Sequence, residues 1–170
     1  IIGVGGGANV LAADDCEKVG LVLPELPEAV KEELSRFTPL VGTGLRNPVD
    51  TATTIYMNPA ELAKTAEVIA RWDGLDMVFV RFPTLLGIRL GIKCLQDDIK
   101  AVMAAVKGTG KPLAIILSTC NFAEGERVGW QVQEQCLDAG VPVYWSFTQA
   151  ATAVNNLISY HENRQVETPT

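Results

Sequence analysis

Two apolar runs decide how this chain folds: DMVFVRF at residues 76–82 and KPLAIILS at residues 111–118. Each reads as a fully apolar strand, as a parallel sheet covered on both faces requires. Between them a helical pattern covers about Arg89–Lys107, with Ile92, Leu95, Ile99, Val102 and Val106 on one face. Strand, amphipathic helix, strand is the crossover unit of a parallel sheet, and such connections are right-handed.

The same alternation extends in both directions. Ile1–Val4 reads as the end of a buried strand, Gly5–Gly7 as a turn, and about Ala8–Val19 as a helix with Ala12, Cys16 and Val19 facing inward. Gly20 suits the position just past that helix. LVLPEL (21–26) reads as a short extended stretch, and Pro27 opens a second helix whose inner stripe is Val30, Leu34 and Phe37. In NPAEL (58–62), Asn58 can cap, Pro59 fits the first helical position and Glu61 can reach back to the cap amide. Leu62, Ala66 and Ile69 face inward until Gly74 ends that helix. Downstream come a helix over Glu124–Ala139, the strand VPVYWS (141–146) and a last helix carrying Ser146 and Gln149 at capping-box spacing. The expected fold is a three-layer α/β, flavodoxin-like, doubly wound, mainly parallel sheet of about five strands. It occupies residues 1–160, with 161–170 as a tail frayed after Tyr160. The start at Ile1, partway into a strand, suggests a piece cut from a longer chain.

Composition narrows the function. The chain has 170 residues, 48% hydrophobic and 20% charged, which suits one compact domain. A net charge of −6 without a basic stripe argues against nucleic acid as a partner. No apolar run is long enough to span a membrane. The four cysteines (Cys16, Cys94, Cys120 and Cys136) form no C-x-x-C pair, which points to a reduced, cytoplasmic protein. The lone histidine, His161, lies in the polar stretch SYHENRQVETPT (159–170), which argues against a histidine-based metal site, and no metal is expected.

IIGVGGGANVLAADD (1–15) carries the main chemical signal. Glycines between a strand and a helix let backbone approach an anion, and the N–H groups of the first helical turn point at it. Gly5, Gly6, Gly7, Ala8 and Asn9 could form such a site, although three glycines also serve a bare tight turn. A dinucleotide fingerprint would read Gly3, Gly5, Ala8, with an acidic residue about 20 positions on at the end of a second strand. Glu25 has that spacing but sits between two prolines, so the match is accidental. Cys120, in STCNF (118–122), has no histidine to activate it. Asp14/Asp15 and Asp97/Asp98 are adjacent pairs that point apart, and read as solvated faces. In GLRNPVD (44–50), Asn47 and Asp50 read as a loop lock or as ligand contacts.

GGGANVLAADDCEKVGLVLPEL (5–26), with NPVD (47–50) about twenty residues on, resembles the NDP-forming acyl-CoA synthetases, the acetate–CoA ligase (ADP-forming) relatives of succinyl-CoA synthetase. Gly6, Gly7, Val10, Ala12, Ala13 and Asp14 match the family's helix start, and Gly20, Leu21, Leu23, Pro24 and Leu26 match its G-L-x-L-P-x-L segment. AGVPVYWSFTQAATAVNNL (139–157) resembles the family's closing segment, so the likeness covers roughly residues 3–158. The chain departs from the pattern at Gly3 and Val4, where the family has Thr-Asn, and RFPTLLGIRLGIKC (81–94) matches none of its motifs. The family's phosphohistidine lies in an HTGA-like segment of the preceding domain, and His161 does not match it. The resemblance implies the second flavodoxin-like ligase domain, with no catalytic side chain of its own, packed on the phosphohistidine domain. Helix N-termini from both sides would stabilise the phosphorylated loop, here at Gly5–Asn9 and near Pro83–Thr84. It further implies CoA-binding and ATP-grasp domains in the same or a partner chain. CoA, ATP or ADP, and Mg would belong to the parent enzyme, with none bound by this chain. Two other readings stand beside it: a small-ligand-sensing regulatory domain in an acetyltransferase fusion, and an independent flavodoxin-like binder of a phosphorylated small molecule.

Overall fold

The computed structural model describes residues 1–38, 42–51, 56, 58–119 and 122–166. Its elements alternate as the apolar runs require: β1 (Ile2–Gly3), α1 (Gly6–Lys18), α2 (Glu28–Ser35), β2 (Val49–Asp50), α3 (Pro59–Ala70) and β3 (Val78–Pro83). They continue with α4 (Thr84–Leu90), α5 (Ile92–Lys107), β4 (Leu113–Ser118), α6 (Ala123–Asp138), β5 (Val143–Tyr144) and α7 (Phe147–Val166). The five strands pair in the order β2-β1-β3-β4-β5, and every pairing is parallel. This is the doubly wound, flavodoxin-like arrangement expected from the sequence.

Alternation along the two long central strands builds both faces of the sheet. Val78, Val80 and Phe82 of β3, with Leu113, Ile115 and Leu117 of β4, join the core that packs on α3 and α5. Phe79, Ala114 and Ile116 face the opposite layer, with Ala12 and Cys16 of α1 and Phe147, Ala150 and Ala151 of α7. Burial of each large aliphatic side chain contributes about 1.5–3 kcal/mol.

Two caps follow the sequence closely. Asn58 accepts a hydrogen bond from the Glu61 N–H at 3.3 Å, with Pro59 in the first helical position. Asn58→Ala is expected to cost about 1 kcal/mol, read as a lower urea midpoint at unchanged m-value. At α7 the Gln149 N–H donates to Ser146 Oγ, and the Gln149 side chain reaches back to the Trp145 N–H.

Four expectations change. LVLPEL (21–26) is not a strand; the strand beside β1 is Val49–Asp50, where the Val49 N–H donates to the Ile1 carbonyl at 2.8 Å. Pro24 has no N–H for a ladder, and its carbonyl accepts from Asn47 Nδ2. The helix expected from Arg89 is two helices, broken at Gly91, whose φ of 93° favours glycine. Its first part was hidden by Gly87, where a Cβ would lie 2.7 Å from Val128 Cγ1, so close packing replaced helix propensity as the determinant. The last helix continues past Tyr160 to Val166. Asp98 is buried rather than solvated, on the same inner stripe of α5 as Leu95, Ile99 and Val102. Its neighbour Asp97 pairs with Lys93 on the surface.

Candidate functional site

The site is built where β1 and β3 lie side by side and their connections leave in opposite directions along the sheet. In doubly wound sheets ligands bind outside the carboxyl ends of the strands at this switch point. Gly5 follows β1 with φ 92° and ψ 108°, a conformation that requires glycine. This turn starts α1 at Gly6 without a side-chain cap and without an acidic residue in its first turn. Gly5, Gly6 and Gly7 are exposed, Ala8 is half-buried and Asn9 is buried. The N–H groups of Gly6, Gly7 and Ala8 precede the first intrahelical donor, Asn9, which bonds the Gly5 carbonyl at 3.1 Å. The mouth of α1 therefore presents backbone donors and the positive end of the helix dipole to solvent.

Behind this mouth sits Arg81, which sequence reasoning missed. It lies on the α1 side of β3, the one charged side chain within Val78–Pro83, and is 8% exposed. That exception in DMVFVRF was the available signal. Its guanidinium donates to the Val4 carbonyl and, at 3.3 Å, to Ser118 Oγ. Its Nε–H has no partner. Burial pulls its pKa below the usual arginine value, while charge interactions with Tyr56 and Asp50 act the other way. The buried Tyr56 hydroxyl donates to the Arg81 carbonyl at 2.8 Å, which fixes the strand at this point.

The sequence-predicted residues divide. Asp50, at the end of β2, accepts the Gly5 N–H at 3.2 Å. Its backbone also closes the preceding loop by pairing with Gly44 in both directions, at 2.9 and 2.8 Å. It thus locks the loop and touches the turn that opens α1. Asn47 is not at the site: it lies at the amino end of β2, bonded to the Ile1 amine and the Pro24 carbonyl. Pro83 and Thr84 reach the carboxyl edge, but Thr84 is fully buried and donates its hydroxyl to the Ser118 carbonyl. They support the edge and present no donor to solvent. Cys120 lies outside the described residues. Burial pushes the thiols of Cys16 and Cys94 up, and that of Cys136 up to about 12, which suits packing rather than nucleophilic attack. His161 is exposed on α7 beside Tyr160.

An open groove runs from Gly6 and Asn9 past Val10 to Thr43, Gly44 and Asp50. Val10 and Leu11 are 60% and 65% exposed, so the mouth is flanked by apolar surface. Another cleft opens at the amino ends of the strands around Ile1, Leu21, Met77, Phe79 and Leu157. Among the described residues no three metal-ligating side chains cluster, and no helix is long and apolar enough to cross a membrane.

Comparison with known proteins gives this architecture a context. No protein-family model matches the chain. It is 26% identical over 162 residues to the acetate–CoA ligase (ADP-forming) II subunit alpha of Pyrococcus furiosus, covering 93% of this chain and 32% of that protein. A crystal structure of a Pyrococcus horikoshii OT3 protein superposes with a TM-score of 0.77 at 23% identity, over 95% of this chain and 35% of the other. The dinucleotide-forming acetyl-coenzyme A synthetase 1 of Ca. Korarchaeum cryptofilum superposes with a TM-score of 0.69 at 18% identity, over 96% and 33%. It has also been solved in complex with phosphate and ADP, with the same score. The resemblance read from the glycine-rich helix start, the LVLPEL segment and NPVD is thus matched by a homologue named as an ADP-forming acetate–CoA ligase subunit. The chain spans about a third of the length of these relatives.

Proposed function

We propose that this chain is a domain of an NDP-forming acyl-CoA synthetase that holds the phosphoryl group in transit. In this reading a phosphoryl group passes from acyl phosphate to a histidine on another domain, and from there to ADP or GDP. The observation that carries it is the uncapped, glycine-rich N-terminus of α1 above the buried Arg81 guanidinium. Each transfer moves a group with two to three charged oxygens. Fixed N–H dipoles stabilise that charge without reorganising during the reaction.

The donor set fits a phosphoryl oxyanion. Mg²⁺ requires several oxygen ligands, and Asp50 is the carboxylate that faces the α1 mouth. Mg²⁺, the adenine nucleotide and CoA are therefore assigned to ATP-grasp and CoA-binding domains in the same or a partner chain. The exposed Val10 and Leu11 suit the docking of the domain that carries the histidine. A reduced, cytoplasmic setting completes the reading.

The expected result is that this chain, given acetate, ATP, Mg²⁺ and CoA, forms no acetyl-CoA. The activity is expected to appear when the phosphohistidine, CoA-binding and ATP-grasp domains are supplied. Acetyl-CoA formed by the chain alone, followed by chromatography, would overturn the assignment, as would tight binding of FMN or NAD.

A further inference from the structure

Among the described residues, Arg81 is the one arginine or lysine that is buried, and no carboxylate lies within ion-pair distance of it. The Asp50 carboxylate acts on it through charge interaction without a direct contact, and its hydrogen bonds go to neutral acceptors, an arrangement that leaves a buried cation costly unless a further negative charge answers it. The acceptors here are the Val4 carbonyl and Ser118 Oγ, and the Nε–H remains open. Asn9, 4% exposed, is also without partners at both Oδ1 and Nδ2.

Glycines keep the space around these groups clear. A Cβ on Gly5 would lie 3.8 Å from Arg81 Nη2, and a Cβ on Gly3 would lie 2.6 Å from Asn9 Oδ1 and 3.5 Å from Arg81 Nε. The unpartnered Asn9 amide and the open Arg81 Nε–H thus both flank Gly3, beneath the exposed first turn of α1. Their chain positions are 9 and 81, and only the β1–β3 pairing at Ile2 and Val80 brings them together.

We propose that Arg81 is the positioning residue of this mouth, with Asn9 at its flank. Its guanidinium holds the Val4 carbonyl, so that the Gly5 turn displays the N–H groups of Gly6, Gly7 and Ala8. It also supplies a full positive charge behind them for a tetrahedral phosphoryl anion. This inference rests on the reading of the mouth as a phosphoryl site and names the side chain on which that site depends.

Isothermal titration with inorganic phosphate tests it in the wild-type protein and in Arg81→Met and Arg81→Lys, with circular dichroism as the check on folding. Loss of one charge-assisted contact predicts roughly 10–100-fold weaker binding for Arg81→Met. Arg81→Lys is expected to recover part of that loss, because it restores charge without the planar fork. A folded Arg81→Met that binds phosphate as the wild type does overturns the inference and leaves the mouth assignment standing. A wild-type protein that binds no phosphate overturns both. Should Arg81→Met fail to fold, the Arg81 Nε–H resonance of ¹⁵N-labelled wild-type protein decides. Its shift on phosphate addition supports the inference; movement of the Gly6 and Gly7 amides with Arg81 unmoved overturns it.

Discussion

Asp98→Asn is expected to stabilise the protein by about 2–4 kcal/mol at pH 8 and to change its stability little at pH 4. Asp98 is 1% exposed on the inner face of α5, and its Oδ1 has no hydrogen-bond partner. Burial, helped by the neighbouring charge of Asp97, pushes its pKa up to about 7. The unfolded chain releases this proton near the ordinary aspartate value of about 3.9. Between those two values the folded state binds more protons than the unfolded state, so stability falls as pH rises. The loss is complete once pH exceeds the folded value near 7. A neutral asparagine of the same shape has no proton to lose and removes that slope. Urea melts of both proteins at pH 4, 6 and 8 measure the effect. A difference between them that is flat with pH would exclude Asp98 as the titrating group.

Asp50→Asn is expected to bind inorganic phosphate about tenfold more tightly than the wild-type protein. The Asp50 carboxylate accepts the Gly5 N–H, and its Oδ2 lies 3.8 Å from where a Gly6 Cβ would stand. The mouth of α1 therefore already holds one negative charge. A second anion there is opposed by about 1–4 kcal/mol, depending on how far water screens the pair. Asparagine keeps the acceptor oxygen and removes the charge. The same change is expected to lower stability by about 0.3–1 kcal/mol, because a negative group favours the positive end of a helix. Titration at two ionic strengths separates the contributions, since a charge effect shrinks with added salt. Weaker phosphate binding by Asp50→Asn would instead make the carboxylate an organiser of the turn. In a transfer reaction the wild-type arrangement has a clear use: a site that bound phosphate too well would retain the group it must pass on.

Much of this architecture was legible from local pattern. The burial of β3 and β4 on both faces follows from their apolar runs, and the helices between them follow from i, i+3, i+4 spacing. The Asn58 and Ser146 caps were readable because capping needs only neighbours along the chain. The exceptions share one cause. LVLPEL looks extended, yet pairing requires a donor at each ladder position, and Pro24 interrupts it while distant Val49 supplies it. Gly87 and Gly91 weaken the helical pattern, and their value appears only in packing against Val128 or in a break between helices. Asp98 carries the charge of a surface residue at a position whose periodicity is that of the core. Asn47 and Asp50, three positions apart, point to opposite ends of β2, a division that no spacing argument reveals.

By itself the sequence determined the alternating elements, the parallel sheet and the glycine-rich helix start, because each depends on residues close together in the chain. The tertiary structure alone decided which strand lies beside β1 and that Asp50 reaches Gly5. It alone set Arg81 behind the mouth of α1. Those relations depend on segments tens of residues apart, whose pairing is chosen by the burial and hydrogen bonding of the whole sheet.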